Sequence, residues 1–510
     1  MTKKIIFWFS ADLLPFSIAY FLQKKHDSDL FGIFDITNKP KDFFKTQNLI
    51  KLSKTWFYHD HMKFDFDYDS EYLNKIQNKY EIDLQELIDH DRILNHYNEY
   101  YQFSESQKNI ILQNECKLFE KILDEVNPNY FITTETTLQP HHLFYKMCRK
   151  RGVKVLMLNH ANWKNLCYIS EQRHKIDNSE SSINIEQSNN ASFNILQQIL
   201  DDSKVSKYHK KFHKENKNSK KSLLKAATKF MSSSNDNIKS HYTYFGRTKS
   251  KVLLKEFQDS INKKNRQKFI DDNLLKKIEK DEPFIYMPLH QEPERSLLIA
   301  APKFSNQMET VKEISEKMPK NFQLYVKEHP TQGPARNWRD ISFYSEVMNI
   351  KNVKLFHPNF NPKFLFQKCK MVLSVGGTSS FEAAFYGKPS IIFADLGYTL
   401  IPCIKKLNSY NELKQSIEGA ISTEVNPQHV QNYIQFLEKN SFKFDILNFE
   451  SNYANWFYMN GNLVDIKFDS DKMKQFLNNN KIELENLAME FINKMNHYEN
   501  EVISKPEDQP

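Results

Sequence analysis

The chain has 510 residues, too many for one ordinary hydrophobic core, so we expect two or three domains. Hydrophobic residues make up 40% and charged residues 26%, which is ordinary for a soluble protein, and no apolar run reaches the ~18 residues of a membrane-spanning helix. The net charge is +8, yet residues 204–229 alone hold ten lysines and one glutamate, a local charge of +9. Basicity therefore belongs to one segment.

The first 170 residues alternate strand-like and helix-like patterns. The strand-like runs are KIIFWFS, LFGIFDIT, NYFITTE and VKVLMLNH, and a helix is predicted between the last two, ending at Gly152. Strand, helix and strand at this spacing indicate a parallel βαβ unit. Asp12 interrupts the first apolar stretch, so we interpret the start as a strand and helix and not as a signal peptide. Five scattered cysteines indicate a reducing compartment without disulfides, and we expect a cytoplasmic protein.

The pattern weakens over residues 171–282, which we interpret as a polar, basic, helical insertion or linker. Its lysine-rich part, residues 204–229, is either a solvated face or a contact for anionic lipid headgroups at the inner face of the cell membrane, or for a polyanionic acceptor. A non-catalytic polyanion- or membrane-binding protein is the alternative in which this segment carries the function. Specific nucleic-acid recognition is not expected.

A second βα series occupies residues 283–425, and residues 426–510 are predicted to be helical. Five apolar strands, PFIYMPLH, FQLYVKEHP, NVKLFHP, MVLSVGG and PSIIFAD, each end in polar or small residues. In open α/β sheets, ligands bind at that carboxyl end of the strands. The fold class is therefore α/β, with two Rossmann-like domains facing a cleft.

Glycines cluster at the end of one of these strands, in a chain with only 10 glycines. Gly376, Gly377, Thr378, Ser379 and Ser380 form a strand-to-helix turn. Glycine permits a close approach to the backbone, and a helix start with hydroxyl groups suits a phosphate, although any tight βα turn uses such residues.

Two further polar groups follow neighbouring strands. Lys327 and His329 end one strand, where charge and proton donation would stabilise a leaving phosphate. His290 and Glu294 follow the first strand of the second half. Each group alone is also compatible with a structural role, but all three converge on one edge of the predicted sheet.

These motifs resemble a known family. PLHQEPE, VKEHP and SVGGTSSFEAAFYGKPSIIF are similar to the C-terminal half of GT-B-type glycosyltransferases of capsule polysaccharide biosynthesis, a group similar to bacterial Kdo transferases and polysialyltransferases. The resemblance implies a GT-B-like fold and a nucleotide-sugar donor, with a CMP-sugar favoured and no obligatory metal. It implies that His329, Ser379 and Ser380 contact the donor phosphate and that Glu382 binds the ribose. A teichoic-type polyol-phosphate transferase and a nucleotide-sugar epimerase are alternatives with the same fold.

The N-terminal half is then expected to bind a glycan acceptor. Glu135 and His160 stand at the ends of two successive strands and are the candidates for the group that removes the acceptor proton. We favour Glu135 because related enzymes use a carboxylate, and we assign His160 to orienting a substrate. Asp12 is the next candidate.

Overall fold

The computed structural model describes residues 2–64, 67–179, 191–203 and 220–504. Residues 204–219, most of the lysine-rich segment, lie outside the described residues. The chain divides into two compact units. Unit 1 comprises residues 1–177, 205–249 and 440–510, and unit 2 comprises residues 178–204 and 250–439.

This division differs from the expected domain boundaries at two places. The segment 171–282 is shared between the two units, and residues 440–510 belong to unit 1, not to a separate helical region. The reason is burial: Phe491 and Met495 of the last helix are fully buried in the same core as Phe7 of the first strand. Apolar residues near both ends of the chain therefore complete one core.

Unit 1 contains a seven-stranded sheet in the order β13-β6-β5-β4-β1-β2-β3. Its strands from β5 to β3 pair in parallel, whereas β6 runs antiparallel to both β5 and β13. The bounds are β1 Lys3–Phe9, β2 Ser28–Phe34, β3 Lys54–Phe57, β4 Tyr130–Thr134, β5 Lys154–His160, β6 Leu166–Ser170 and β13 Phe442–Lys443.

The alternation of side chains along β1 explains why this sheet is covered on both faces. Ile5, Phe7 and Phe9 belong to one hydrophobic cluster, and Ile6 and Trp8 belong to another. Successive side chains of a strand point to opposite faces, so a strand that is apolar throughout requires helices on both sides.

Unit 2 contains a six-stranded, wholly parallel sheet in the order β12-β11-β10-β7-β8-β9. The bounds are β7 Phe284–Pro288, β8 Gln323–Lys327, β9 Val353–Phe356, β10 Met371–Ser374, β11 Ser390–Ile392 and β12 Ile404–Lys406. All five strands predicted in this half are confirmed. With two mainly parallel sheets and abundant helices, the predicted α/β class with two Rossmann-like units is confirmed too.

The helices of unit 1 and unit 2 connect and flank these strands, and among the described residues none is long and apolar enough to cross a membrane. The α-helices are Leu14–Leu22, Asn38–Thr46, Ser70–Tyr80, Leu84–Asp89, Glu105–Val126, Gln139–Lys150, Phe193–Asp202, Lys220–Ser232, Asn237–Ser240, Lys249–Asn273, Arg295–Leu298, Gln307–Lys317, Gln332–Arg336, Ile341–Asn349, Pro362–Lys368, Ser379–Phe385, Leu413–Ile421, Pro427–Lys439, Ile446–Phe457, Ser470–Asn479 and Lys481–Ser504.

Candidate functional site

The predicted donor-site residues of unit 2 follow three adjacent strands. His290 follows β7, His329 follows β8, and the glycine turn at 376–377 follows β10. In the sheet, β7 lies between β8 and β10. The three loops therefore emerge side by side at the carboxyl edge, where parallel α/β sheets bind ligands.

His290 is built into the glycine turn. Its Nε2 accepts a hydrogen bond from the Gly376 amide at 3.1 Å and lies 3.2 Å from Ser374 Oγ. Burial lowers the pKa of His290 to about 3, helped by the charges of His329 and Arg339. The ring is therefore neutral, with its proton on Nδ1, 4.0 Å from a Glu294 carboxylate oxygen. This neutral ring fixes the turn and carries no charge of its own.

Close packing, and not a positive φ, explains the glycine at 377. A Cβ at Gly377 would lie 2.9 Å from His290 Cε1, a distance that real Cβ atoms do not show. The Gly377 amide donates to Ser374 Oγ at 3.2 Å, and the Gly376 amide is bonded to His290. In this structure both glycines therefore shape the turn, and neither offers its amide to an anion.

Lys327 is placed differently from the prediction. Its Nζ donates to the Pro358 carbonyl at 2.8 Å and to the Glu328 carbonyl at 3.3 Å, and burial lowers its pKa to about 8. Pro358 follows β9, on the opposite side of β8 from β10. The ammonium group therefore braces the loop after β9 and does not reach towards the glycine turn, because β8 ends at Lys327 and the alternation with His329 stops there.

A buried ion-pair network holds the histidine loops in place, and no local sequence pattern marks its centre, Arg339. Arg339 Nε donates to Glu328 at 2.9 Å, and its other nitrogens contact Glu292 and the His290 carbonyl. Glu328 is fully buried and also accepts from Tyr344 at 2.8 Å. Arg339 therefore ties the loop after β7 to the loop after β8.

His329 is half-buried and oriented by its neighbour. Its Nδ1 accepts from the Thr331 amide at 3.3 Å and lies 2.8 Å from Thr331 Oγ1. An amide donates only to an unprotonated ring nitrogen, so the neutral ring carries its proton on Nε2. His329 also lies close enough to His290 to affect its pKa.

The hydroxyl residues of the turn separate into two groups. Thr378 and Ser379 are partly accessible, and Thr378 Oγ1 donates to the Glu382 carboxylate at 3.0 Å. Ser380 is fully buried and its hydroxyl has no hydrogen-bond partner in the described parts of the chain. The structure therefore does not support the expected contact of Ser380 with a donor, whereas burial raises the pKa of Glu382 beside the accessible pair.

The two predicted base candidates of unit 1 lie at one edge of its sheet. Glu135 follows β4 and His160 ends β5, and these strands pair in parallel. Glu135 is paired with Arg173 at 2.7 Å, which sequence reasoning did not include. Burial lowers the pKa of His160, although Asn162, Glu135 and Asp445 oppose the shift.

A carboxyl from a distant helix joins this edge. Burial, followed by the charges of Asp12 and Glu135, raises the pKa of Glu450 to about 8. Asp12 is half-buried, and the burial of its carboxylate raises its pKa although it accepts hydrogen bonds from the Leu14 amide and Thr134. Glu450 belongs to the helix Ile446–Phe457, more than 300 residues along the chain from Glu135, and no local pattern marks it.

Across the described ranges, no group of three or more histidine, cysteine, aspartate or glutamate side chains is arranged to hold a metal ion.

One protein-family model matches part of the chain. Residues 239–401 match the family model described as capsule polysaccharide biosynthesis protein. All three motifs of the sequence resemblance lie inside this segment, so the resemblance is confirmed there.

Solved structures are similar only at low levels of identity. The beta Kdo 2,7 transferase KpsC of Thermosulfurimonas dismutans is 11% identical over 65% of this chain and 81% of its own, with a TM-score of 0.29. The beta Kdo 2,4 transferase KpsC of the same organism is 10% identical over 60% and 79%, with a TM-score of 0.31. UDP-GlcNAc 2-epimerase of Methanocaldococcus jannaschii is 11% identical over 86% and 100%, with a TM-score of 0.25. Scores at this level carry no inference about activity. No curated protein matches the chain.

Proposed function

We propose that the protein is a glycosyltransferase that moves a sugar from a nucleotide-activated donor to a capsular or other surface polysaccharide. The observation that carries the proposal is the capsule-biosynthesis segment 239–401, which contains the three adjacent polar loops of unit 2. Two histidines, His290 and His329, lie at this edge of the sheet, and Gly377 leaves room for the ring of His290. Stability of the fold alone would not require this arrangement.

In this proposal unit 2 binds the donor. His329 and the accessible hydroxyls of Thr378 and Ser379 stabilise the departing phosphate, while His290 and Glu294 hold the turn beneath it. Glu382 accepts hydrogen bonds from the ribose. Such groups stabilise the transition state when they are held in place before the reaction. The Arg339 network provides that rigidity.

Unit 1 binds the acceptor in this proposal, and a group at the carboxyl edge of β4 and β5 removes the acceptor proton. Glu135 is the favoured base, and His160 orients a substrate. The accumulation of Asp12, Glu135 and Glu450 supports a proton-accepting role at this edge, because burial, followed by the charges of Asp12 and Glu135, raises the pKa of Glu450 to about 8.

The experiment that tests the function combines binding and products. A thermal-shift screen with CMP-, UDP-, GDP- and CDP-linked ligands should raise the melting temperature with one nucleotide class, and we favour the CMP class. Product analysis with the bound donor separates sugar transfer from polyol-phosphate transfer and from epimerisation, which needs no acceptor. Absence of binding to every nucleotide by a folded protein would overturn the proposal.

We further propose peripheral contact with the inner face of the cell membrane. On the helix Lys220–Ser232, Leu224 is 68% exposed, and Leu223 and Met231 are about half exposed beside exposed lysines. Exposed apolar residues flanked by lysines suit an anionic bilayer surface. Cosedimentation with vesicles containing phosphatidylserine should fall in the variant Leu224→Ser and at high salt, and not with Leu254→Ser, a matched exposed leucine of unit 2.

A further inference from the structure

A cavity lies wholly within unit 1, and the residues assigned to the candidate site above are not part of its lining. It measures about 320 Å³, and its lining comes from the segments that follow β1, β2, β3 and β4, from residues 242–247 and from residues 458–468. It therefore opens at the carboxyl edge of the parallel strands. Its volume is at the lower end of the roughly 300–1,000 Å³ typical of small-ligand pockets.

Aromatic side chains line the cavity, and the polar groups behind them are hydrogen-bonded to one another. Tyr58 and Tyr242 share a hydrogen bond of 2.9 Å between their hydroxyls, and the Tyr58 hydroxyl also contacts Glu115. Gln139 donates to the other Glu115 oxygen at 2.8 Å. Burial raises the pKa of Glu115 to about 8, so the carboxyl group behind the tyrosine rings is neutral at pH 7. It therefore holds the tyrosine rings in place without supplying a charge to a ligand.

One ring nitrogen of a histidine in this cavity has no hydrogen-bond partner among the described residues. Asp35 and His59 line the cavity, and His59 Nε2 lies 3.1 Å from a carboxylate oxygen of Asp35. The carboxylate accepts, so the proton of the neutral ring is on Nε2. The side chain of His59 is 7% exposed, and Nδ1 has no hydrogen-bond partner in the described parts of the chain. This nitrogen is suited to accept a hydrogen bond from a ligand hydroxyl.

One cation lines the same cavity. The guanidinium of Arg247 lies 5.3 Å from the ring centres of Tyr100 and Tyr244, and among the described residues it has no carboxylate partner. The backbone before it admits only glycine: Gly246 has a φ of 72°, and a Cβ there would lie 2.2 Å from the Tyr100 carbonyl oxygen. The chain is thus built to hold this guanidinium between two rings, where it can pair with an anion.

We propose that this cavity binds a sugar ring bearing an anionic group, as the end of the acceptor glycan. The aromatic faces pack against the ring, His59 accepts from a hydroxyl group, and Arg247 pairs with the carboxylate or phosphate. This inference rests on the proposed function, of which it specifies the acceptor class. It is independent of the donor residues, because the cavity lies entirely in unit 1.

Binding of four probes to the full chain tests the inference: the methyl glycosides of glucuronate and galacturonate, glucose 6-phosphate, and the uncharged methyl glucoside. At least one anionic sugar should bind more tightly than methyl glucoside. The uronates and the sugar phosphate distinguish the two sources of negative charge. The variant Arg247→Gln should weaken binding of the preferred anionic sugar by about tenfold or more, and leave methyl glucoside unchanged. His59→Phe, which keeps a ring in place, should weaken binding of both.

The matched control is Arg149→Gln, which removes a guanidinium from unit 1 whose hydrogen bonds are to Tyr145 and a backbone carbonyl. The inference is overturned if no anionic sugar binds better than methyl glucoside, or if Arg149→Gln weakens binding as much as Arg247→Gln does. Nucleotide binding is measured on the same samples. Nucleotide binding without anionic-sugar binding would overturn only this inference, whereas anionic-sugar binding without binding of any nucleotide would overturn the proposed function.

Discussion

The carboxyl edges of the two sheets satisfy their polar groups in different ways. In unit 2, His290 is bonded to the glycine turn and Arg339 to Glu328, so most charges are balanced by protein partners. In unit 1, burial raises the pKa values of Asp12 and Glu450, the charges of Asp12 and Glu135 add to the shift of Glu450, and Arg247 has no carboxylate partner among the described residues. The difference indicates that the polar groups of unit 2 are held in a fixed geometry by protein partners. In unit 1, by contrast, Arg247 and the carboxyl groups are available to pair with a substrate or to take up a proton.

The largest expected effect is a loss of turnover on replacing His329, the histidine of unit 2 that Thr331 orients. His329→Ala should lower turnover by roughly 10²–10⁴, the span for removing an anion-stabilising or acid–base group, with little change in folding. The measurement is a steady-state assay with the donor found by the nucleotide screen. His429→Ala, elsewhere in unit 2, is the control and should keep full activity. Wild-type turnover in a folded His329→Ala protein would show that the assignment is wrong.

The base of unit 1 is tested by pH–rate profiles at saturating donor. Glu135→Gln should remove the acidic limb and lower turnover by roughly 10²–10⁴, because a neutral amide cannot accept the acceptor proton. His160→Asn and Glu450→Gln should retain that limb, and His160→Asn should mainly raise KM. Loss of the limb only in Glu450→Gln would move the role to Glu450. If all three variants keep an unaltered limb, Asp12 is the next residue to test.

The preorganised character of unit 2 is tested at Arg339. Arg339→Met leaves Glu328 buried without its cation, so the free energy of unfolding should fall by about 3–5 kcal/mol, as for other broken buried ion pairs. Urea unfolding measures this change. Arg266→Met, which loses a contact with the largely exposed Asp340 and two long hydrogen bonds to the Asn337 and Trp338 carbonyls, should cost less than about 1 kcal/mol. A double variant with Glu328→Gln should recover part of the loss, and equal effects of Arg339→Met and Arg266→Met would contradict the network's importance.

A smaller effect is expected at the ribose position. Glu382→Gln should weaken nucleotide binding by about 1–3 kcal/mol, the scale of a hydrogen bond to a charged group. Calorimetric titration of the variant measures this loss. Glu316→Gln, an exposed position of unit 2, should bind as the wild type does. Unchanged affinity in Glu382→Gln would exclude contact with the ribose.

The last prediction concerns the slope of the pH dependence of stability. The pKa of Glu450 is about 8 in the folded protein against an ordinary value of 4.5, so between these values the folded state holds a proton that the unfolded state has released. Stability therefore falls as pH rises through this window. Glu450→Gln should make the slope shallower by about 1.4 kcal/mol per pH unit. Glu71→Gln, an exposed control of unit 1, should not, and an unchanged slope in Glu450→Gln would show that the carboxyl titrates normally.

Sequence reasoning succeeded where the signal is local. Buried runs such as that of β1, and the strand-to-turn patterns at His290, His329 and Gly377, predicted the α/β class and the edge at which these residues meet. It did not find Arg339, Glu450 or Arg247, because their roles come from contacts between residues far apart in the chain. The direction of Lys327 also depended on the position of β9 in the sheet order, which periodicity does not determine.

The return of the last 71 residues to unit 1 has a consequence for synthesis on the ribosome. The core around β1 lacks the helix Lys481–Ser504 until that helix has been synthesised, since it packs on the helix Leu14–Leu22. The sheet of unit 2 is complete once β12 has been made, about a hundred residues earlier. The nascent chain therefore acquires the sheet of unit 2 first, and unit 1 keeps an apolar surface open to chaperones until the helix Lys481–Ser504 has emerged.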